Sequence, residues 1–139
     1  MRVQLLPALA EQLLNSGHAP QTLVEAFSDW KAAGEDDHYL FARDALNRGS
    51  KWLRHVHIVP LNNVEALEHW DAAWSRYRKR TSDRYLFYVD GGSLYGFLLL
   101  HIVDDPGAHR FLSTPTKAEQ QLLNVFEHIA DKFVHYGTI

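Results

Sequence analysis

A chain of 139 residues, 46% of them apolar, is long enough to bury a hydrophobic core, and we expect residues 1–139 to form one domain. It contains no cysteine, which excludes disulfides, thiolate metal sites and thiol catalysis. No secretory leader or membrane-spanning run is recognisable, and the net charge of −3 gives little support for a nucleic-acid partner, so a soluble cytoplasmic protein is expected.

The first element predicted along the chain is a strand in "VQLL", followed by a short helix in "PALAEQLLNSG". A longer helix is predicted in "APQTLVEAFSDWKAAG", where Pro20 suits the first turn and Gly34 suits the end. The apolar residues of this segment recur at helical spacing: Leu23, Val24, Phe27 and Trp30. The sequence therefore places helices before most of the sheet.

The next segment, "EDDHYLFARDALNRG", is predicted to be another short helix. In a helix its apolar residues would share one face: Leu40, Phe41, Ala45 and Leu46. Gly49 would then end the element.

The periodicity changes in "WLRHVHIVP", which predicts a strand. On a strand His55 and His57 point to one face, whereas Val56 and Ile58 point to the other. Two imidazoles on one face can share a metal ion, if a third histidine or a carboxylate completes the site, or they can act on a phosphate. The third interpretation is a hydrated strand face, and the pattern alone leaves all three open.

The second half of the chain predicts a helix, a hairpin and a closing helix. The helix lies in "VEALEHWDAAWSRYRKR", and the strands "RYLFYVDGG" and "SLYGFLLLHIVDD" are expected to pair around Gly91 and Gly92. The second strand contains a continuous apolar run, which is typical of a central strand that is buried on both faces. Thr116 and Glu119 have capping-box spacing at the start of the last helix, and Gly137 follows its end. An α+β fold is predicted, with helices packed on a small twisted antiparallel sheet and a C-terminal amphipathic helix.

Positive charge is concentrated in two short segments of this mildly acidic chain. Residues 42–57 hold four basic groups against Asp44, and residues 76–84 hold five against Asp83. The acidic helical stretch between them is long enough to return the chain, so we predict that the two basic segments meet on one face. Arginine interleaved with tyrosine, as in "RYRKR", suits RNA, because guanidinium pairs with phosphate and aromatic rings stack on bases.

Four stretches carry a resemblance to a known family: "FARDAL", "RHVHI", "RTSD" followed by "LFYV", and "FLLLHIVDDPGAH". In this order and spacing they resemble the YafO family of bacterial type II toxins over roughly residues 23–110. The resemblance implies an architecture related to the RelE toxins. It also implies a ribosome-dependent mRNA interferase that is neutralised by a cognate antitoxin. Such toxins are usually basic, whereas this chain is slightly acidic.

RNA carries its own nucleophile, the 2′-hydroxyl, so cleavage needs a base, an acid and cations but no metal or cofactor. The candidate catalytic residues are His55, His57, Arg80, Asp83 and His109. His55 and His57 are the base and acid candidates, with His109 as a third possible acid. Arg80 and Arg43 would bind phosphate, and Asp83 would orient a histidine. The candidate RNA-binding residues are Arg43, Lys51, Arg54, Arg76, Arg78, Lys79 and Tyr88.

The partners implied are the antitoxin, the ribosome and mRNA, with no membrane. Two other classes of protein fit the same residues. One is a non-catalytic module that binds a ribosome or protein surface through the basic segments. The other is a metal-dependent hydrolase built on the two histidines of "HVH".

Overall fold

A computed structural model describes residues 1–34, 37–76 and 79–139 of the chain. The strands in these ranges are β1 (Val3–Leu5), β2 (Phe41–Leu46), β3 (Leu53–Ile58), β4 (Tyr85–Asp90) and β5 (Phe97–Val103). The helices are α1 (Pro7–Asn15), α2 (Pro20–Ala33), α3 (Val64–Arg76), α4 (Gly92–Tyr95), α5 (Ala108–Ser113) and α6 (Lys117–Tyr136). None of the described helices is long and apolar enough to cross a bilayer.

The strands form one open sheet in the order β1-β5-β4-β3-β2. β1 pairs with β5 in parallel, and the other neighbours are antiparallel. The α+β class and the mostly antiparallel sheet are as predicted, and they are consistent with a RelE-like fold. The apolar β5 is an interior strand, as its composition predicted. It pairs with β4, and the short helix α4 connects the two strands.

Each face of the sheet is covered by helices. α1 and α2 cover one face, where Phe27 and Trp30 pack on Tyr88. α5 and α6 cover the other, which we call the α6 face, where Phe111 and Phe126 belong to the same buried cluster as Phe87. Both faces of the central strands are therefore buried.

The helix predicted over residues 35–49 is wrong. Residues Phe41–Leu46 form β2, which pairs antiparallel with β3. A shift in register between Phe41 and Asp44 leaves Phe41 and Ala42 both buried, and this interrupts the alternation that identifies a strand. Gly49 lies in the turn between β2 and β3, with a φ of +82°. Glu35 and Asp36, at the start of the predicted helix, lie outside the described residues.

The ends of α3 and α6 can be compared with their sequence signals. α3 ends at Arg76, and Lys79 and Arg80 are not helical, so the helix predicted through residue 80 is too long. Tyr77 and Arg78 lie outside the described residues. The capping box is present at the start of α6, and Gly137 ends that helix in the left-handed conformation, both as predicted.

Candidate active site

His55 and His57 lie side by side on the α6 face of β3, as the alternation predicted. Their ring centroids are 5.9 Å apart. The ring of Tyr85, on the neighbouring strand β4, packs against both, with its centroid 4.8 Å from that of His55 and 4.5 Å from that of His57. Tyr85 is buried, so its phenol ring is a fixed surface against which the two imidazoles pack.

Each imidazole is held by a hydrogen bond at Nδ1. His55 Nδ1 lies 2.5 Å from the side-chain oxygen of Asn47, which follows β2. His57 Nδ1 accepts a hydrogen bond of 2.9 Å from the backbone N–H of Ser82. Both rings therefore have a fixed orientation, because Asn47 and Ser82 belong to segments that are themselves anchored to the sheet.

Burial keeps both imidazoles neutral at neutral pH. His57 is 8% exposed and His55 is partly buried. The pKa of each is lowered to about 4, chiefly by burial, and the charge of the exposed Arg43 contributes to the lowering in both. Arg43 therefore lies close to the pair with its side chain in solvent, where it is available to a phosphate.

Asp83 and His109 lie beside His57. The Asp83 carboxylate accepts hydrogen bonds of 2.7 Å from the backbone N–H groups of Gly107 and His109, at the start of α5. Asp83 thus positions the backbone of His109. The charge of Asp83 raises the pKa of His57, and that of His109 lowers it, so both groups are close enough to influence the imidazole. His109 is exposed.

Arg80 has a different setting from the one its charge suggested. It is 4% exposed, and its guanidinium donates to the backbone carbonyls of His38, Tyr39 and Phe41 at 2.9, 2.5 and 3.0 Å. The rings of Trp70 and Trp74 also lie against it, with centroids 4.6 and 4.5 Å from the guanidinium carbon. Arg80 supports the backbone that leads into β2, and a phosphate would have to displace these contacts.

Arg54 and Tyr88 lie on the other face of the sheet, because they alternate with the histidine positions. Arg54 forms an ion pair of 3.2 Å with Asp44, and the Tyr88 hydroxyl donates to the same carboxylate at 2.7 Å. Tyr88 is fully buried, so its ring has no exposed surface on which a base can stack. The charge of Arg54 contributes to lowering the pKa of His55, but neither side chain lies on the face that carries the histidine pair.

The two basic segments do meet, since Ser82 of the second contacts His57 of the first. Their cations do not form one patch, because Arg54 points to the opposite face and Arg80 is buried. Arg76, the last residue of α3, and Lys79 beyond it are exposed, and Arg78 lies outside the described residues.

Lys51 lies in the turn between β2 and β3, where a groove of about 610 Å³ separates this turn from α6. Arg48 and Lys51 line the groove on one side, and Asn124 and His128 line it on the other. Asn47 lines the same groove and contacts His55 through its side chain. Asn47 is therefore the link between this groove and His55, and neither histidine of the pair lines the groove itself.

Asn47, Ser82 and Tyr85 are the neighbours of the pair that sequence reasoning missed. The sequence pattern places Asn47 near the end of a predicted helix, whereas its contact with His55 requires residues 41–46 to pair with β3. The Asn-Arg-Gly sequence at residues 47–49 is a turn signal between two strands, and it could have identified this hairpin.

Within residues 1–34, 37–76 and 79–139, no group of three or more histidine, aspartate or glutamate side chains is arranged to hold a metal ion. The third ligand that a metal site built on the "HVH" histidines requires is therefore not found in the described part of the chain.

Comparison with known protein families identifies a family that the chain matches. The model of a family described as toxin YafO, type II toxin-antitoxin system, matches residues 28–135. No curated protein matches the chain, and no solved structure matches it. The matched range contains β2 to β5 and nearly all of α6, and so it includes the histidine pair and its neighbours.

Proposed function

The chain belongs to the YafO family of toxins of type II toxin–antitoxin systems, and on this premise we propose that it inhibits translation by cleaving mRNA on the ribosome without a metal or cofactor. Membership of a type II system implies a cognate antitoxin protein as partner.

The observation that carries this proposal is the neutral pair His55 and His57, held at Nδ1 beside the exposed cation Arg43. Cleavage of RNA through its 2′-hydroxyl requires a proton acceptor, hydrogen-bond donors to the phosphate and a proton for the departing 5′ oxygen. Neutral imidazoles supply an acceptor and a donor, and Arg43 supplies positive charge. His109 is an exposed imidazole on the same side, and we assign it the role of acid candidate.

The groove between the β2–β3 turn and α6 is the proposed path of the RNA. Arg48 and Lys51 offer cations to the sugar-phosphate backbone, and Asn47 connects this groove to His55. The exposed cations Arg76 and Lys79 remain proposed contacts of the ribosome or RNA.

The decisive experiment compares the wild-type chain with the double variant His55→Gln/His57→Gln on ribosomes translating a defined mRNA. Glutamine keeps hydrogen bonding but does not transfer protons near neutral pH, so we expect cleavage to fall by about 10²-fold or more. Ribosome binding should persist, because phosphate contacts dominate affinity.

The matched control is His69→Gln, which changes an exposed histidine on α3 and should cleave as the wild type does. Adding a chelator while ribosomal magnesium is maintained should leave wild-type cleavage unchanged. Cleavage at the wild-type rate by the double variant would show that the two histidines have no catalytic role. Ribosome binding by the wild type without cleavage products would identify a non-catalytic inhibitor instead.

A further inference from the structure

The hydrogen bonds at Nδ1 differ in direction between the two histidines. The side-chain oxygen of Asn47 only accepts hydrogen bonds, so Nδ1 of His55 must carry the proton. The backbone N–H of Ser82 only donates, so Nδ1 of His57 must be bare. A neutral imidazole has one ring proton. Nε2 of His55 therefore holds a free lone pair, whereas Nε2 of His57 carries a hydrogen.

We propose that His55 is the general base of the RNA-cleaving site, that His57 is a neutral hydrogen-bond donor to the scissile phosphate, and that Asn47 is the positioning residue that sets this division. The inference rests on the proposed function and assigns roles within that site. It separates two histidines whose positions on the strand are otherwise alike.

The reaction balances with these roles. Nε2 of His55 takes the proton of the 2′-hydroxyl while the 2′ oxygen forms a bond to phosphorus. The bond from phosphorus to the 5′ oxygen breaks, and that oxygen leaves with a proton from an acid, for which His109 is the candidate. The products are a 2′,3′-cyclic phosphate and a 5′-hydroxyl; His55 then releases its proton to solvent, and the acid candidate His109 regains one from solvent. His57 stays neutral and donates from Nε2 to a non-bridging oxygen throughout.

Asn47 is well placed to fix the proton on Nδ1 of His55. It is 6% exposed. Its backbone N–H donates a hydrogen bond of 2.9 Å to the carbonyl of Leu53, and its carbonyl accepts one of 3.0 Å from the N–H of Ser50. The side chain therefore starts from a backbone held on both sides within the turn. When His55 takes a proton, Nδ1–H keeps its bond to Asn47, so the charged ring needs no rearrangement.

The environment supports a donor role for His57. Its burial, with Arg43 and His109 nearby, opposes a positive charge on the ring. A neutral imidazole does not release its remaining proton at physiological pH, so Nε2–H acts as a hydrogen-bond donor and not as an acid. At His55 the negative phosphate of bound RNA would favour the charged form and so raise its proton affinity in the complex.

The first test measures the tautomers directly and needs no activity. Long-range proton–nitrogen NMR correlations of the full chain at pH 7 identify which ring nitrogen carries hydrogen, and His55→Gln and His57→Gln assign the two signals. We expect hydrogen on Nδ1 in His55 and on Nε2 in His57. The same tautomer in both rings, or the reverse assignment, would overturn the division of roles even if the chain cleaves RNA.

The second test uses cleavage on ribosomes at saturating protein. His57→Gln retains an amide donor and should keep much of the wild-type rate, whereas His57→Leu should lose it. His55→Gln should fall by about 10²-fold or more, because it has no proton acceptor of suitable basicity. A larger loss in His57→Gln than in His55→Gln would contradict the assignment.

Asn47 is tested by two substitutions. Asn47→Ala should lower the rate about 10–100-fold, by analogy with other groups that orient a histidine, leave ribosome affinity unchanged and give mixed tautomers at His55. Asn47→Asp keeps an acceptor, so it should retain the Nδ1–H tautomer and shift the pH dependence of cleavage. Wild-type tautomers and rate in Asn47→Ala would remove the positioning role. Absence of cleavage in the wild type would instead refute the proposed function, while the NMR result stands by itself.

Discussion

At the scale of single residues, the arginines show that charge in the sequence does not specify where a cation acts. Arg43 is exposed beside two imidazoles, whereas Arg80 is enclosed by three carbonyls and two indole rings. A guanidinium presents its N–H donors in a rigid fork and stacks on aromatic rings, whereas an ammonium is a compact point charge. The first arginine therefore belongs to the proposed site, and the second supports its framework.

Replacing Arg80 should accordingly affect stability. In Arg80→Lys the ammonium cannot donate to all three backbone carbonyls that the guanidinium binds. Buried carbonyl oxygens are then left without a hydrogen-bond donor. We expect the free energy of unfolding to fall by about 2–4 kcal/mol in urea titrations. The matched control Arg76→Lys changes an exposed side chain and should stay within about 0.5 kcal/mol of the wild type. A stable Arg80→Lys protein that has lost only cleavage would return Arg80 to the site.

The histidine pair should make stability depend on pH. The pKa of His55 and of His57 is about 4 in the folded chain and near 6.5 when exposed, so the unfolded chain binds more protons between these values. The contribution of the pair to the free energy of unfolding is therefore fully present above pH 6.5, and it is lost as the pH falls toward 4. Each histidine adds a slope of up to about 1.4 kcal/mol per pH unit. The charged and titratable groups that influence the pair are Arg43, Asp44, Arg54, Asp83 and His109.

Denaturant titrations from pH 7 to pH 4 measure this effect when His55→Gln/His57→Gln is compared with the wild type. The variant should lose less stability on acidification. His101 also has a pKa lowered by burial, but it is present in both proteins, so its contribution cancels. Parallel pH profiles for the two proteins would mean that the pair titrates as exposed histidines do.

At the scale of elements, sequence reasoning succeeded where one period runs through a whole segment. The alternation in β3 placed both histidines on one face, and the apolar stripe and caps of α6 predicted that helix to its ends. It failed at β2, where a register shift buries two successive residues and the tertiary pairing with β3 overrides a helical pattern. The contact between Asn47 and His55 was not predicted either, because it depends on the register of the β2–β3 hairpin.

The parallel pairing of β1 with β5 depends on Gly96. This residue precedes β5 with a φ of +70°, and a Cβ there would collide with the backbone carbonyl of Arg2. Gly92 also has a positive φ, of +76°, but the space around it is open. We expect Gly92→Ala to cost about 1–2 kcal/mol for the conformation alone. Gly96→Ala should cost at least about 1 kcal/mol more, since β1 must also move.

Hydrogen exchange locates the difference between these two variants. The backbone N–H of Phe97 donates 2.8 Å to the carbonyl of Arg2, and it should exchange faster in Gly96→Ala but not in Gly92→Ala. Equal unfolding free energies and equal protection of Phe97 in both variants would show that the contact with Arg2 imposes no constraint.

At the scale of the whole molecule, net charge gives no general attraction to RNA. With a charge of −3, long-range steering is weak, so any affinity for phosphate must come from local groups that the fold exposes together. The fold removes Arg54 and Arg80 from this set and leaves Arg43 near the histidines and Arg48 and Lys51 at the groove. Binding should thus be concentrated on one side of the molecule and be sensitive to few substitutions.

The salt dependence of ribosome binding tests this concentration of charge. Each phosphate contact to single-stranded RNA contributes about 0.7 to the slope of log affinity against log salt concentration. If Arg48 and Lys51 each contact a phosphate, Arg48→Ala/Lys51→Ala should weaken binding and reduce the slope by about 1.4. The control Arg2→Ala/Lys117→Ala removes two exposed cations that do not line the groove, so its slope should equal that of the wild type. Equal losses in both double variants would mean that overall charge governs binding and that the groove is not the path of the RNA.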